Sequence, residues 1–167
     1  MLKKSIILIG MPGSGKTTIG KQVAKQLNCS FYDMDEMIVK TTGKSIDMLF
    51  SMGEEVFRDA ESDVCKKLAD ITPCVIACGG GVVMRRHNID LLKNFGSIFF
   101  IDRPIEMIEK DIDISFRPLL QEGKDKVHLL YEKRYPLYRN AADYIIFNNS
   151  TAQKATEEII KLLQQVR

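Results

Sequence analysis

The sequence predicts an α/β fold in which a five-stranded parallel sheet is covered by helices on both faces. Two observations carry this. Short apolar, β-rich runs alternate with helical patterns from one end of the chain to the other. The chain's 167 residues, 45% hydrophobic and 28% charged, suit one domain with one core. Strands are expected over residues 5–10, 30–33, 74–78, 97–102 and 143–148, each close to the usual length of a buried strand.

Helices fill the intervals. The first spans 16–27, with Asn28 placed to stop it in the left-handed conformation. A second runs over 53–69, where Val56, Val64 and Leu68 recur at helical spacing and Glu54, Arg58, Glu61 and Asp63 line other faces. Further helices are expected over 86–93, 104–110, 127–141 and 152–166. Residues 111–126 break the rhythm: they are polar, contain Pro118 and Gly123, and sustain no apolar period. An irregular loop of this length inside a compact domain is usually functional.

Charge and sulfur narrow the setting. Twenty-four Lys+Arg against 22 Asp+Glu give a formal charge of +2, too near neutral for a dedicated nucleic-acid surface. No apolar run approaches the roughly 20 residues that cross a bilayer, and residues 5–9 are too short for a signal-peptide core, so a cytoplasmic protein is expected. Cys29, Cys65, Cys74 and Cys78 form no C-x-x-C pair. Alternation puts Cys74, Ile76 and Cys78 on one buried strand face, which favours reduced thiols over a zinc site shared with His87.

Directly after the first strand, Gly10-Met11-Pro12-Gly13-Ser14-Gly15-Lys16-Thr17 satisfies G-x-x-x-x-G-K-[ST] between a strand and a helix. Glycines let the backbone curl, so that successive N–H groups and the helix N-terminus face phosphate oxygens. Lys16 adds a mobile charge for the β- and γ-phosphates, and the Thr17 hydroxyl suits Mg²⁺. Such a loop indicates a nucleotide but not a reaction. The short chain argues against motors, and the absence of N-K-x-D weakens a guanine-specific reading.

Three further features bear on the reaction. The second strand ends in Asp33-Met34-Asp35, where strand alternation would send both carboxylates toward the crevice at the sheet's carboxyl edge. They could organise Mg²⁺ and accept a proton from an attacking hydroxyl, or cap a helix that follows; residue type leaves both open. Gly79-Gly80-Gly81 reads as a binding loop at the third strand's end rather than a plain turn. Arg58, Arg117 and Arg134 have ordinary readings: Arg58 can pair with Glu54 or Glu61 on an exposed helix face, Arg134 with Glu132, and Arg117 can be solvated. Beside a phosphate loop, their planar forks also suit carboxylate and phosphate recognition.

Taken together, residues 10–18, Asp33-Met34-Asp35, the Phe57-Arg58 pair with Glu61, Gly79 to Gly81, Arg117-Pro118-Leu119-Leu120, and Arg134 ahead of Tyr138 resemble the shikimate kinase family in order and spacing. The resemblance spans nearly the whole chain. It implies a three-layer α/β/α fold with sheet order 2-3-1-4-5, one kinase domain over 1–167, a mobile lid at about 111–126 and a substrate-binding segment at about 34–61. It also implies transfer of the ATP γ-phosphate to the 3-hydroxyl of shikimate.

By the same resemblance, Gly13, Ser14, Gly15, Lys16, Thr17 and Thr18 hold the nucleotide, with Thr17 and Asp33 serving Mg²⁺, the latter through water. Asp35 would hold the attacking hydroxyl or act as base. Arg58 and Arg134 would grip the substrate carboxylate, while the backbone of Gly79, Gly80 and Gly81 meets its hydroxyls. Arg117 would come from the lid to the transferring phosphate, and Phe50 and Phe57 would wall the substrate. Many members carry an arginine beside adenine seven residues before Arg117, where this chain has Lys110; lysine cannot stack in the same planar way. Partners implied are ATP and shikimate, with no nucleic acid or membrane, and a monomer. The phosphate loop also resembles that of adenylate kinases, so a nucleoside monophosphate or gluconate-type kinase is the alternative enzyme. A regulatory nucleotide-binding module is the alternative class.

Overall fold

The computed structural model describes residues 2–71, 73–111 and 124–165. Five strands, β1 (Ser5–Ile9), β2 (Phe31–Asp33), β3 (Val75–Ala77), β4 (Gly96–Asp102) and β5 (Tyr144–Phe147), form one sheet in the order β2-β3-β1-β4-β5. All pairings are parallel; Ile7 stands opposite Ile76 on one side and Ile98 on the other.

Alternation along the strands divides the core into two layers. Ile7, Ile9, Ile76, Ile98 and Phe100 face one cluster, whereas Ile6, Leu8, Val75, Phe99 and Ile101 face the other. A parallel sheet buried on both faces needs apolar side chains at every strand position, which explains why β1 reads as a continuous Ile-Ile-Leu-Ile run. The first layer is closed by α4 (Glu54–Ala69), α5 (Arg86–Phe95) and α7 (Lys124–Ala141), and the second by α1 (Lys16–Leu27) and α8 (Ala152–Gln165). Cys74 and Cys78 join Ile76 in the first layer, and Cys65 is buried with them. His87 Nε2 lies 3.1 Å from Ser62 Oγ.

The helix boundaries both follow and depart from expectation. Asn28 ends α1 at φ 50°, and the N–H groups of Asn28 and Cys29 reach back to the carbonyls of Lys25 and Ala24. The helix that the capping reading of Asp33 and Asp35 places over 36–41 is present as α2 (Met34–Thr42), whereas α3 (Ile46–Met52) is not among the expected helices; Ser45 Oγ caps it, accepting from Met48 N–H at 3.1 Å. Val56 is 37% exposed, so only Val64 and Leu68 of its expected stripe are core residues. Both ends of the expected 111–126 loop are helical, because α6 (Ile105–Asp111) continues through Asp111 and α7 begins at Lys124. Residues 112–123 lie outside the described residues, and no described helix is long and apolar enough to cross a membrane.

Because every strand runs the same way, the residues that follow β1, β2, β3, β4 and β5 converge on one edge of the sheet. They are the loop from Gly10, Asp33, Gly79 to Gly81, Arg103 and Asn148.

Candidate active site

At that edge Gly13, Gly15, Lys16, Thr17, Thr18, Asp33, Asp35, Cys78, Gly79, Gly80, Arg103 and Asp111 line a cleft of about 260 Å³. Gly13 and Gly15 hold φ of 79° and 97°, a region that side-chain-bearing residues avoid, which is the physical reason the loop is glycine-rich. The Lys16 ammonium donates to the carbonyl oxygens of Gly10 and Met11 at 2.9 and 2.8 Å and lies 3.4 Å from Ser14 Oγ. Its residue is 8% exposed, so a nucleotide has a pre-positioned cation to meet.

The two aspartates divide their work in a way alternation did not foresee. Asp33 ends β2, but Asp35 lies in the first turn of α2, so the helix start rather than strand pleating turns both toward the cleft. Of the two sequence readings, Asp33 takes the helix cap, and its second oxygen reaches the phosphate loop. Its Oδ1 caps α2, accepting from the N–H groups of Asp35 and Glu36 at 3.0 and 3.4 Å, while Oδ2 accepts from the Thr17 hydroxyl at 2.7 Å. The Thr17–Asp33 pair gathers hard oxygen donors of the kind Mg²⁺ takes beside phosphate. Asp35 is thereby left to face the opposite end of the cleft, next to Gly79.

That end is a buried cluster of charge. Arg58 is 3% exposed; its Nη1 donates to Glu61 Oε2 at 3.0 Å and its Nη2 to Glu54 Oε1 at 3.2 Å. The pairing matches the helix-surface reading, but the burial does not, because this face of α4 packs on the glycine loop. Arg134, on α7, is also 3% exposed instead of lying on the surface with Glu132, and its Nε has no hydrogen-bond partner. Burial pushes the Glu61 carboxyl up to about 7, with Asp35 adding to the rise and Arg58 and Arg134 opposing it. Burial likewise pushes the Tyr138 hydroxyl up to about 12, with the Arg134 charge opposing the rise, and the hydroxyl donates to the Gly80 carbonyl at 2.5 Å.

The three glycines are required by neighbours rather than by positive φ. A Cβ at Gly79 would stand 3.0 Å from both Asp35 Oδ1 and Glu61 Oε1, and one at Gly80 would press on Pro12. At Gly81 it would occupy the place of the Arg58 guanidinium. Phe57 stacks on Phe50 with ring centroids 4.4 Å apart, and the Arg58 guanidinium carbon lies 5.1 Å from the Phe57 ring centre.

Several contributors left no signal that sequence reasoning used. Asn148 Nδ2 donates to the Ser14 carbonyl at 2.9 Å, and Arg103 Nη1 to the Gly13 carbonyl at 2.8 Å, so both brace the phosphate loop through its backbone. Glu61 entered only as a partner for Arg58. Lys110 is exposed on α6 and does not line the cleft, while Arg117 lies outside the described residues.

A larger hollow of about 670 Å³ lies at the amino ends of the strands, between Lys3, Lys4, Lys93, Gly96 and Tyr144. Its carboxylate, Asp143, is engaged with the Ile98 N–H at 2.8 Å, and it offers no phosphate cradle. Chemistry, not volume, selects the smaller cleft.

The family model for shikimate kinase matches residues 12–164. The chain belongs to the shikimate kinase family. A shikimate kinase of Clostridium botulinum (strain Eklund 17B / Type B) is 49% identical over 162 residues, covering 97% of this chain and 98% of its own. The solved shikimate kinase from Acinetobacter baumannii, in complex with shikimate, superposes with a TM-score of 0.93 at 33% identity, covering 98% of this chain and 94% of that one. A gluconokinase from Sinorhizobium meliloti 1021 reaches a TM-score of 0.62 at 14% identity over 98% and 93% of the two chains, a likeness of fold alone. The chain is thus a phosphotransferase of the shikimate kinase family with ATP as co-substrate, on the family's five-stranded fold.

Proposed function

We propose that this chain transfers the γ-phosphoryl group of ATP to the 3-hydroxyl of shikimate, giving shikimate 3-phosphate and ADP. The carrying observation is the burial of Arg58 and Arg134, the former against Gly81 of the glycine loop whose Gly79 and Gly80 share the cleft lining with the phosphate loop. Buried guanidinium groups are costly unless an anion meets them, and Arg134 Nε still has a hydrogen bond to give. A carboxylate on the acceptor supplies that anion. Asp35, beside Gly79 and in the same cleft lining as Lys16, would hold the attacking hydroxyl, and the backbone of Gly79, Gly80 and Gly81 would meet the acceptor's other hydroxyls.

In this reading Gly13 to Thr18 hold the nucleotide, and Thr17 and Asp33 would hold Mg²⁺, which when bound neutralises charge on the β- and γ-phosphates. Lys16 leaves the loop carbonyls for phosphate oxygens. One domain carries both sites, with residues 34–61 as the acceptor segment. The lid role of 111–126, with Arg117 closing on the phosphate and Lys110 near the base, comes into this reading by family resemblance. The enzyme works in the cytoplasm as a monomer.

A coupled ADP-release assay with shikimate, gluconate and AMP tests the acceptor. Turnover is expected with shikimate alone, and Asp35→Asn should lower its rate by about 10² to 10⁴ if the carboxylate takes the proton, and by less if it only orients the hydroxyl. Turnover with gluconate or AMP in place of shikimate would overturn the reading.

A further inference from the structure

Arg103 and Asp111 stand at opposite ends of α6, and both line the nucleotide side of the cleft. Arg103 holds two acceptors at once: Nη1 donates to the Gly13 carbonyl at 2.8 Å, and Nη2 pairs with Asp111 Oδ2. Helix stability does not call for these charges. A cation ahead of a helix N-terminus and an acid at its C-terminus both oppose the macrodipole. Charges that break a local rule point to a task elsewhere, and here both face the place where a polyphosphate must lie beside Lys16, Thr17 and Thr18. The Arg103 side chain is only 16% exposed, so it is held in this position, whereas Asp111 is 59% exposed and can be displaced into water.

We propose that Arg103 is a nucleotide-binding residue of this chain and that Asp111 is its internal competitor, the pair together setting the affinity for ADP and ATP. The inference rests on the nucleotide reading of the phosphate loop. Asp111 occupies one prong of the guanidinium. An incoming phosphate offers the same prong a better-matched acceptor and repels the carboxylate. Binding therefore exchanges one anionic partner of Arg103 for another instead of satisfying a bare cation. The gain is moderated, which favours release of ADP after transfer. The Gly13 contact keeps the guanidinium on the loop throughout the exchange.

Calorimetric titration of the full chain with ADP and Mg²⁺ tests this in wild type, Arg103→Gln, Asp111→Asn and the double variant. Arg103→Gln should weaken ADP about tenfold, the loss of one charge-assisted bond. Asp111→Asn should tighten it roughly threefold, and this gain should shrink in the Arg103→Gln background, because the competition needs the arginine. Arg103→Lys should recover part of the loss, since it keeps charge without the fork. The KM for the acceptor and the melting temperature should stay near wild type, which loop damage would not allow. Equal ADP affinity in wild type and Arg103→Gln, or weaker binding by Asp111→Asn, would overturn the inference while leaving the nucleotide site standing. Failure of wild type itself to bind ADP would overturn both.

Discussion

The phosphate loop takes its polar groups from consecutive residues, Gly10 to Thr18, and most of what it offers a ligand is backbone. The proposed acceptor end assembles Asp35, Arg58, Glu61, Gly79 to Gly81 and Arg134 from α2, α4, the turn after β3 and α7, and what it offers is side-chain charge, that of Arg58, Glu61 and Arg134 buried away from water. The first can be damaged in chemistry while its scaffold stays intact. In the second, charge, packing and stability are one object, because Arg58 and Glu61 are buried against each other and removing either leaves the other without its partner.

Lys16→Ala should show the first behaviour most sharply. Turnover should fall by about 10³ or more, while the melting temperature changes little, because the Gly10 and Met11 carbonyls it releases can take water. Rapid-quench turnover with parallel calorimetry would decide; near-normal turnover would break the comparison at its strong end. Arg58→Ala should show the second behaviour. Acceptor affinity should drop by about 2 to 5 kcal/mol, roughly 30-fold or more, and the variant should also melt lower at neutral pH because Glu61 loses its partner. ADP affinity should be unaffected. A loss shared equally between ADP and the acceptor would erase the division between the two ends.

Gly81→Ala sharpens the same point without touching a charge. Its methyl group takes the place of the Arg58 guanidinium, so the acceptor KM should rise about tenfold with kcat less affected. An unchanged KM would show that the guanidinium has room to shift. The smallest effect concerns pH. Glu61 is raised from an ordinary 4.5 to about 7, so the folded state holds its proton more tightly than the unfolded chain does. The stability this provides is complete below about pH 4.5 and is lost as pH rises through about 7. Glu61→Gln cannot titrate. The melting temperature of wild type relative to this variant should therefore fall across that window, and a constant difference would show that Glu61 does not titrate there.

The same contrast explains what was legible in the sequence. The sheet, its alternation and the phosphate loop are local patterns, and all three stand in the structure with the expected strand order. The burial of Arg58 and Arg134 was not legible from their neighbours, since an arginine three residues from a glutamate looks the same on a wet or a dry helix face. Asn148 and Arg103 grip loop carbonyls, and a carbonyl has no residue identity to be matched. α3 could have been found: Ser45 followed by Asp47 in the first turn is a helix start, but its seven residues are too few to show a period. Asp33 was ambiguous because one carboxylate oxygen caps α2 while the other is left to face Thr17 of the phosphate loop, so a cap and a ligand-facing carboxylate share one residue.

Cys78 lines the cleft, yet its thiol is pushed well above the ordinary range by burial, with Cys65 and Glu61 adding to the rise. Oxidation and alkylation both proceed through the thiolate. Burial thus holds the cleft sulfur as a thiol rather than a thiolate, which slows its reaction with peroxide and thiol reagents, and it acts on Cys65 and Cys74 in the same way. Burial pushes the Cys29 thiol up as well, but Cys29 is the one half-buried cysteine, so its exposure makes it the first expected target, beyond the end of α1 and outside the cleft lining. Oxidative stress should therefore mark this protein at a site separate from its catalytic groups, and a label at Cys29 would report on the fold while leaving the cleft free to work.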